Sequence, residues 1–276
     1  MAHRRFEGKE QAASYWKYRI SPSDRLMGNI FDFLKKQKGP PYELALDVGC
    51  GSGQGTLLLA KHFESVVGTD VSPAQIEVAQ QHAMAPNITY RHCLAEDLPI
   101  ADSSVDLVTA MSSFHWFDRQ RFLQEVHRVL KPNGCLALLN YTIDMELSYA
   151  HRCCSQELNQ VCKEFYAALH PYRSLHLGAT SLTLYEEAYQ SLPYPVKEWN
   201  ECMWDRRTMS LSNFMGLVES FSSYQGLMKE DPQKAAELSH NICHKLMSVM
   251  EVTSEDTEVV VGVKYFYVLA CKPKED

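Results

Sequence analysis

The stretch Leu44-Ala-Leu-Asp-Val-Gly-Cys-Gly-Ser-Gly-Gln-Gly55 leaves few folds open to this chain. Leu44 to Val48 is a short apolar run, broken only by Asp47, and reads as a buried strand. Glycines at 49, 51, 53 and 55 make a loop, after which Thr56 to Phe63 resumes as a helix built on Leu57, Leu58, Ala60 and Lys61. Strand, glycine loop and helix form the first βα turn of a nucleotide-binding sheet, where side chains on the loop would keep a ligand off the backbone. The spacing rejects the dinucleotide fingerprint G-x-G-x-x-G. Counted from Gly49 the third glycine falls on Gln54, and from Gly51 on Thr56. Asp47 is also a poor neighbour for a pyrophosphate and suits a ligand with positive charge and no phosphate.

Further apolar runs repeat the pattern. Ser65-Val-Val-Gly-Thr-Asp70 is a second short strand ending in an acid, and Ser72-Pro73 starts a helix as N-cap and first helical residue. Asn87–Cys93, Val105–Met111 and Cys135–Asn140 read as the third, fourth and fifth strands. Between the last two, Asp118 opens an amphipathic helix through Phe122, Val126, Val129 and Leu130, and Lys131-Pro-Asn-Gly134 turns the chain. Ser21-Pro-Ser-Asp24 starts an earlier helix that runs through Leu26, Ile30, Phe31 and Leu34 and stops at Gly39-Pro-Pro41. Alternating elements with short loops predict an α/β fold: a doubly wound, mostly parallel seven-stranded sheet. Beyond Tyr141 the pattern changes. Helices are expected over 144–170, 174–191, 211–224 and 232–250, a strand over Val196–Trp204, and a last, antiparallel strand over Glu258–Ala270. The inserted segments are expected to cap the carboxyl edge of the sheet, where open α/β folds bind ligands. The domain reading is therefore 1–40 as covering helices, 41–140 as cofactor-binding core, 141–257 as cap and substrate region, and 258–276 as final strand and tail.

At 276 residues the chain can bury a full core as one elaborated domain. Its net charge of −7 argues against a nucleic-acid surface as the main partner, since phosphate contacts need clustered Lys and Arg. The run Lys35-Lys-Gln-Lys38 is most simply a solvated helix end. The nine cysteines are scattered without a C-x-x-C pair, which fits reduced thiols in a cytoplasmic protein. No apolar signal region or membrane-length run is present in the sequence. His240 and His244 have helical zinc spacing but no third ligand nearby, so no metal is expected.

Chemistry concentrates at strand ends. Asp70, 19 residues beyond Gly51, is placed to accept hydrogen bonds from both hydroxyls of a ribose. The fourth strand runs into Met111-Ser-Ser-Phe-His-Trp-Phe-Asp118, where His115 can hold a substrate oxygen or act as a base and Trp116 can donate its indole N–H. Trp204 and Arg207 are candidates for the substrate pocket, the arginine suiting an acidic substrate.

Asp47-Val-Gly-Cys-Gly-Ser-Gly53 resembles the first motif of the class I S-adenosylmethionine-dependent methyltransferases. Thr109–Asp118 with Phe122 resembles the matching stretch of trans-aconitate methyltransferases, and Ala13–Pro22 their aromatic lead-in. The His115-Trp116 pair is also similar to that of juvenile hormone acid methyltransferases, where the tryptophan contacts the acid. The resemblance implies S-adenosyl-L-methionine as cofactor, with S-adenosyl-L-homocysteine as product. It implies cofactor contacts from Asp47, Gly49, Cys50, Gly51, Gly53, Asp70, Val71, Leu94, Ala95, Glu96 and Met111, and closure by Tyr18 and Arg19 over cofactor or substrate. His115 and Trp116 are then the catalytic pair, and Tyr15, Trp16, Phe114, Trp204 and Arg207 the substrate contacts, with Phe117 in the same aromatic pocket. Related enzymes often carry an acid for the adenine amino group where this chain has Leu94; Glu96 or Asp97 can supply the acceptor instead. The implied reaction is methyl transfer to a small molecule, most simply a carboxylic acid. A phenol or amine acceptor would require His115 as base. A non-catalytic module on the same fold, or a nicotinamide oxidoreductase, is the alternative of another class. The sequence does not determine the oligomeric state.

Overall fold

The computed structural model describes residues 17, 18, 20–173 and 181–274. Among the described residues the first complete element is α1 (Asp24–Gln37), started where the Ser23 hydroxyl accepts from the Leu26 amide at 3.2 Å. β1 (Leu44–Val48), α2 (Gln54–Leu59), β2 (Ser65–Asp70), α3 (Pro73–Gln81), β3 (Ile88–His92), β4 (Val105–Met111), α4 (Arg119–Val129) and β5 (Leu130–Tyr141) follow. The later elements are β6 (Glu146–Ser148), α5 (Ser155–Leu169), α6 (Ser181–Ser191), β7 (Val196–Ser210), α7 (Leu211–Glu219), α8 (Ser222–Glu230), α9 (Pro232–Met250) and β8 (Glu258–Cys271).

β3, β2, β1, β4 and β5 are parallel neighbours in that order, and β8 lies antiparallel beside β5. β7 covers the other side of β8 along its whole length, from Ser210 opposite Glu258 to Val196 opposite Cys271. The sheet has eight strands, one more than the pattern predicts, because short β6 continues the edge of β5 against Val260–Gly262. Three residues carry too little alternation to be read as a strand. β5 likewise begins at Leu130, before the expected turn: Leu130 pairs with Val105, and the register then shifts before Leu107 meets Cys135. β7 runs six residues past the expected Trp204 because β8 offers it a full-length partner.

Alternation along the central strands splits the core in two. Ala45, Leu107 and Ala137 face one cluster with α1, α5, α7, α8 and α9, whereas Leu46, Val108 and Leu136 face the other with α4 and α6. At the start of β4, buried Asp106 accepts from the Glu43 and Leu44 amides at 2.7 and 3.0 Å. It also pairs with Lys38 at 2.9 Å and Lys131 at 3.1 Å. Lys38 is therefore an ion-pair partner, unlike the solvated helix end expected of its run. Asp102, Glu125 and Arg128 form a second network that ties the loop after β3 to α4. All nine cysteines are free thiols. The His240 and His244 rings are 4.3 Å apart, and among the described residues no cluster of three His, Cys, Asp or Glu can hold a metal. No helix of the described residues is long and apolar enough to cross a membrane.

Candidate active site

The carboxyl ends of β1, β2, β4 and β5 converge on the glycine loop. Gly49, Gly51 and Gly53 all have positive φ, +67°, +54° and +90°. At Gly49 a Cβ would lie 2.5 Å from the Ser113 side chain and 2.9 Å from the Phe117 ring, so the loop is pressed onto the turn after β4. Ser113 fixes that contact by donating to the Val48 carbonyl at 2.8 Å. On the other side Gly53 packs against Ala79 of α3 and the ring of Tyr90, which reaches under the loop from β3.

Asp47 is 1 % exposed, and both its oxygens accept hydroxyl hydrogen bonds, from Thr56 at 2.6 Å and Thr109 at 2.8 Å. Thr109 is its direct register partner on β4. Burial pushes the Asp47 carboxyl up to about 6, opposed by the two hydroxyls and reinforced by Asp70. Burial likewise raises the Asp70 carboxyl, against the Ser72 and Gly51 amides that hydrogen-bond it. Those amides donate to its two oxygens at 2.8 and 2.9 Å, which aims the carboxylate at the glycine loop. Burial beside Asp70 and Asp47 keeps the Cys50 thiol protonated.

Asp47, Gly49, Cys50, Gly51 and Met111 line one small cleft of about 50 Å³ together with Ser52, Tyr141, Tyr265 and Ile20–Pro22. Ser52 carries a buried hydroxyl without a hydrogen-bond partner there. The Asp47 carboxylate and the orphaned Ser52 hydroxyl in the cleft, with Asp70 beside the glycine loop and no lysine or arginine among the described lining residues, fit a ligand bearing hydroxyl and ammonium groups rather than phosphate. S-Adenosylmethionine is such a ligand.

His115 and Trp116 lie in a single 3-10 turn, Phe114–Trp116, with ring centroids 4.9 Å apart. The amide nitrogen of Asn140, at the end of β5, is 3.4 Å from His115 Nδ1. Tyr185 of α6 packs over the turn, edge-on to Phe114 at 5.2 Å and 6.5 Å from the His115 ring. Phe114 itself is fully buried, also against Phe122, so it supports the turn from the core side.

The other sequence-derived candidates fall in several places. Val71 accepts from His92 Nε2 through its carbonyl at 3.0 Å. Leu94 is 40 % exposed and Ala95 is buried. Glu96 turns away, accepting from the Asp118 amide at 2.7 Å where α4 begins. Tyr18 packs its ring against Gly216 of α7. Arg207 donates to the Ser21 carbonyl and pairs with Asp205 at 3.1 Å, so it anchors the segment that walls the cleft. Trp204 is exposed, beside Gly262 and away from the cleft lining. Tyr15, Trp16 and Arg19 lie outside the described residues. Reasoning from sequence missed Thr56, Thr109, Ser113, Asn140 and Tyr185. Each acts through a partner on a different strand or helix, and only the strand register could have pointed to Thr109.

Residues 46–138 match the methyltransferase domain family. A Dictyostelium discoideum protein named as a methyltransferase is 37 % identical over 128 residues, 46 % of this chain and 46 % of that protein. The chain therefore spans less than half of that relative's length. A Saccharomyces cerevisiae protein named as an S-adenosylmethionine-dependent methyltransferase is 24 % identical over 270 residues, covering 89 % of this chain and 91 % of its own. Among solved structures, a methyltransferase from Anaeromyxobacter dehalogenans superimposes with a TM-score of 0.69 at 24 % identity, over 90 % of this chain and 97 % of that one.

Proposed function

We propose that this chain, which carries a class I S-adenosylmethionine-dependent methyltransferase domain over residues 46–138, methylates the oxygen of a small carboxylic acid. The observation that carries the reading is the convergence of Asp70, the glycine loop and the His115–Trp116 turn on the ends of neighbouring strands. When bound, S-adenosylmethionine supplies a methyl group made electrophilic by its positively charged sulfur. Asp70 offers carboxylate oxygens to ribose hydroxyls, and Asp47 and Ser52 supply polar atoms to the amino-acid end. Gly49 and Gly51 let the ligand approach the backbone.

A carboxylate is already anionic at neutral pH, so the protein need not remove a proton from it. What remains is to orient it and keep water away. His115 and the Trp116 indole supply hydrogen-bond donors, and Phe117 with the buried Phe114 and Tyr185 gives the turn an apolar setting. Low polarity favours a reaction in which a positive and a negative charge cancel. In this reading 41–140 holds the cofactor and the inserted 141–257 shapes the acceptor side.

Calorimetric titration with S-adenosylmethionine and S-adenosylhomocysteine tests the cofactor assignment, repeated with Asp70→Asn and Asp70→Ala. Affinity is expected to fall about tenfold or more, the loss of one charge-assisted hydrogen bond. Transfer of labelled methyl to a panel of mono- and dicarboxylic acids tests the acceptor class. Wild-type protein that binds neither cofactor form sinks the reading.

A further inference from the structure

We propose that Asn140 is a positioning residue that fixes the tautomer of His115 and so restricts the site to acceptors that are already anionic. The inference rests on the placement of the acceptor beside His115 and goes beyond it by choosing between the imidazole's two possible roles. The Asn140 side-chain nitrogen is a donor only, and it faces His115 Nδ1 at 3.4 Å. Nδ1 must then present its lone pair. In a neutral ring the proton sits on Nε2, which makes Nε2 a donor.

Two consequences follow from elementary valence. A base acting through Nε2 needs its lone pair there, hence a proton on Nδ1. That proton would point at the Asn140 amide hydrogens, two donors head to head. The doubly protonated ring meets the same clash. Both forms needed for general-base catalysis are disfavoured, whereas the form that donates to a carboxylate oxygen is favoured. The fold holds the pair rigidly. Asn140 is 6 % exposed and sits in register opposite Phe266 in β8. The His115 turn is clamped by the Ser112 amide on the Leu139 carbonyl at 2.8 Å and by Tyr185, whose hydroxyl donates to the same carbonyl at 3.4 Å. An amide on β5 and an imidazole after β4 thus meet because their strands are paired from Leu107 to Met111.

The test reads the tautomer directly. Long-range ¹H–¹⁵N correlation spectra of protein labelled with ¹⁵N-histidine are recorded for wild type, Asn140→Asp and Asn140→Leu, with His115→Gln to assign the signal. The Nε2–H pattern is expected in wild type, a mixture in Asn140→Leu, and Nδ1–H in Asn140→Asp, whose carboxylate accepts from Nδ1. In parallel, Asn140→Asp is expected to lose at least tenfold in turnover on carboxylic acids while S-adenosylhomocysteine binds with unchanged affinity. Wild-type protein showing Nδ1–H, or transfer to phenols or amines in place of carboxylic acids, overturns the proposal. Failure to bind S-adenosylhomocysteine would instead sink the methyltransferase reading and leave the spectra to decide the tautomer alone.

Discussion

Burial of Asp47 makes the effect of replacing it depend on pH. Its carboxyl titrates at about 6 in the folded chain against an ordinary value of 3.8. Between those values the folded chain keeps a proton that the unfolded chain has lost, so stability falls as pH rises through that window and levels off above it. The full displacement corresponds to roughly 3 kcal/mol against the fold at neutral pH. Asparagine has the same shape, can accept from one threonine hydroxyl and donate to the other, and never ionises. Asp47→Asn should therefore be more stable than wild type at pH 8, by up to about 3 kcal/mol, or about 2–4 °C in Tm per kcal/mol for a chain of this size. The gain should shrink to about 1 kcal/mol at pH 4.5, where the folded carboxyl is neutral but the unfolded one is still largely ionised, and vanish only below the ordinary carboxyl value of 3.8. Urea unfolding of both proteins at the two pH values measures the difference. A variant that loses stability equally at both would show that the cost of burying the charge is not what sets the Asp47 environment.

Other perturbations probe the rest of the frame. Asp106→Ala should cost about 3–5 kcal/mol in urea unfolding, because it strands Lys38, Lys131 and two amides at a buried site. Burial would raise the Asp106 carboxyl, but the Leu44 and Glu43 amides with Lys38 and Lys131 hold it below its ordinary value. The stability it contributes is thus present above the ordinary carboxylate range and lost as pH falls through the depressed value, a slope the alanine variant should lack. Gly53→Ala places a Cβ against the Tyr90 hydroxyl at φ +90° and should destabilise by about 1–2 kcal/mol or more; Tyr90→Leu in the same chain should restore part of the loss. Arg207→Met releases the Ser21 carbonyl, so trypsin should cut at Lys17 or Arg25 several-fold faster; an unchanged digestion rate would refute the anchoring role.

The parallel core and the glycine loop were legible in the sequence because their signals are local. Alternation, capping residues and glycine spacing act within a few residues, as at Ser72-Pro73, where the serine hydroxyl accepts from the Gln75 amide. The same holds for Asp118, whose carboxylate accepts from the Arg121 amide as α4 begins. The position of Asp70 beside the glycine loop could be read from its distance to the glycines because one strand–helix–strand unit fixes that geometry.

Other features depended on residues brought together across long separations. Arg207 reads as a substrate-pocket cation in the sequence, but β7 lies along β8 and delivers it to Ser21, 186 residues away. Glu96 reads as an acceptor for a ligand, but the turn towards α4 points it at the Asp118 amide. The Asn140–His115 contact, the Thr109 hydroxyl on Asp47 and the cover provided by Tyr185 are likewise products of strand pairing and helix packing. Which elements form, and which residue types stand at their ends, follows from propensity and periodicity, which are properties of neighbours in the chain. Which donors meet which acceptors is set by the folded sheet, because a hydrogen bond is made or lost within about an ångström and that precision comes from packing all of its strands and helices together.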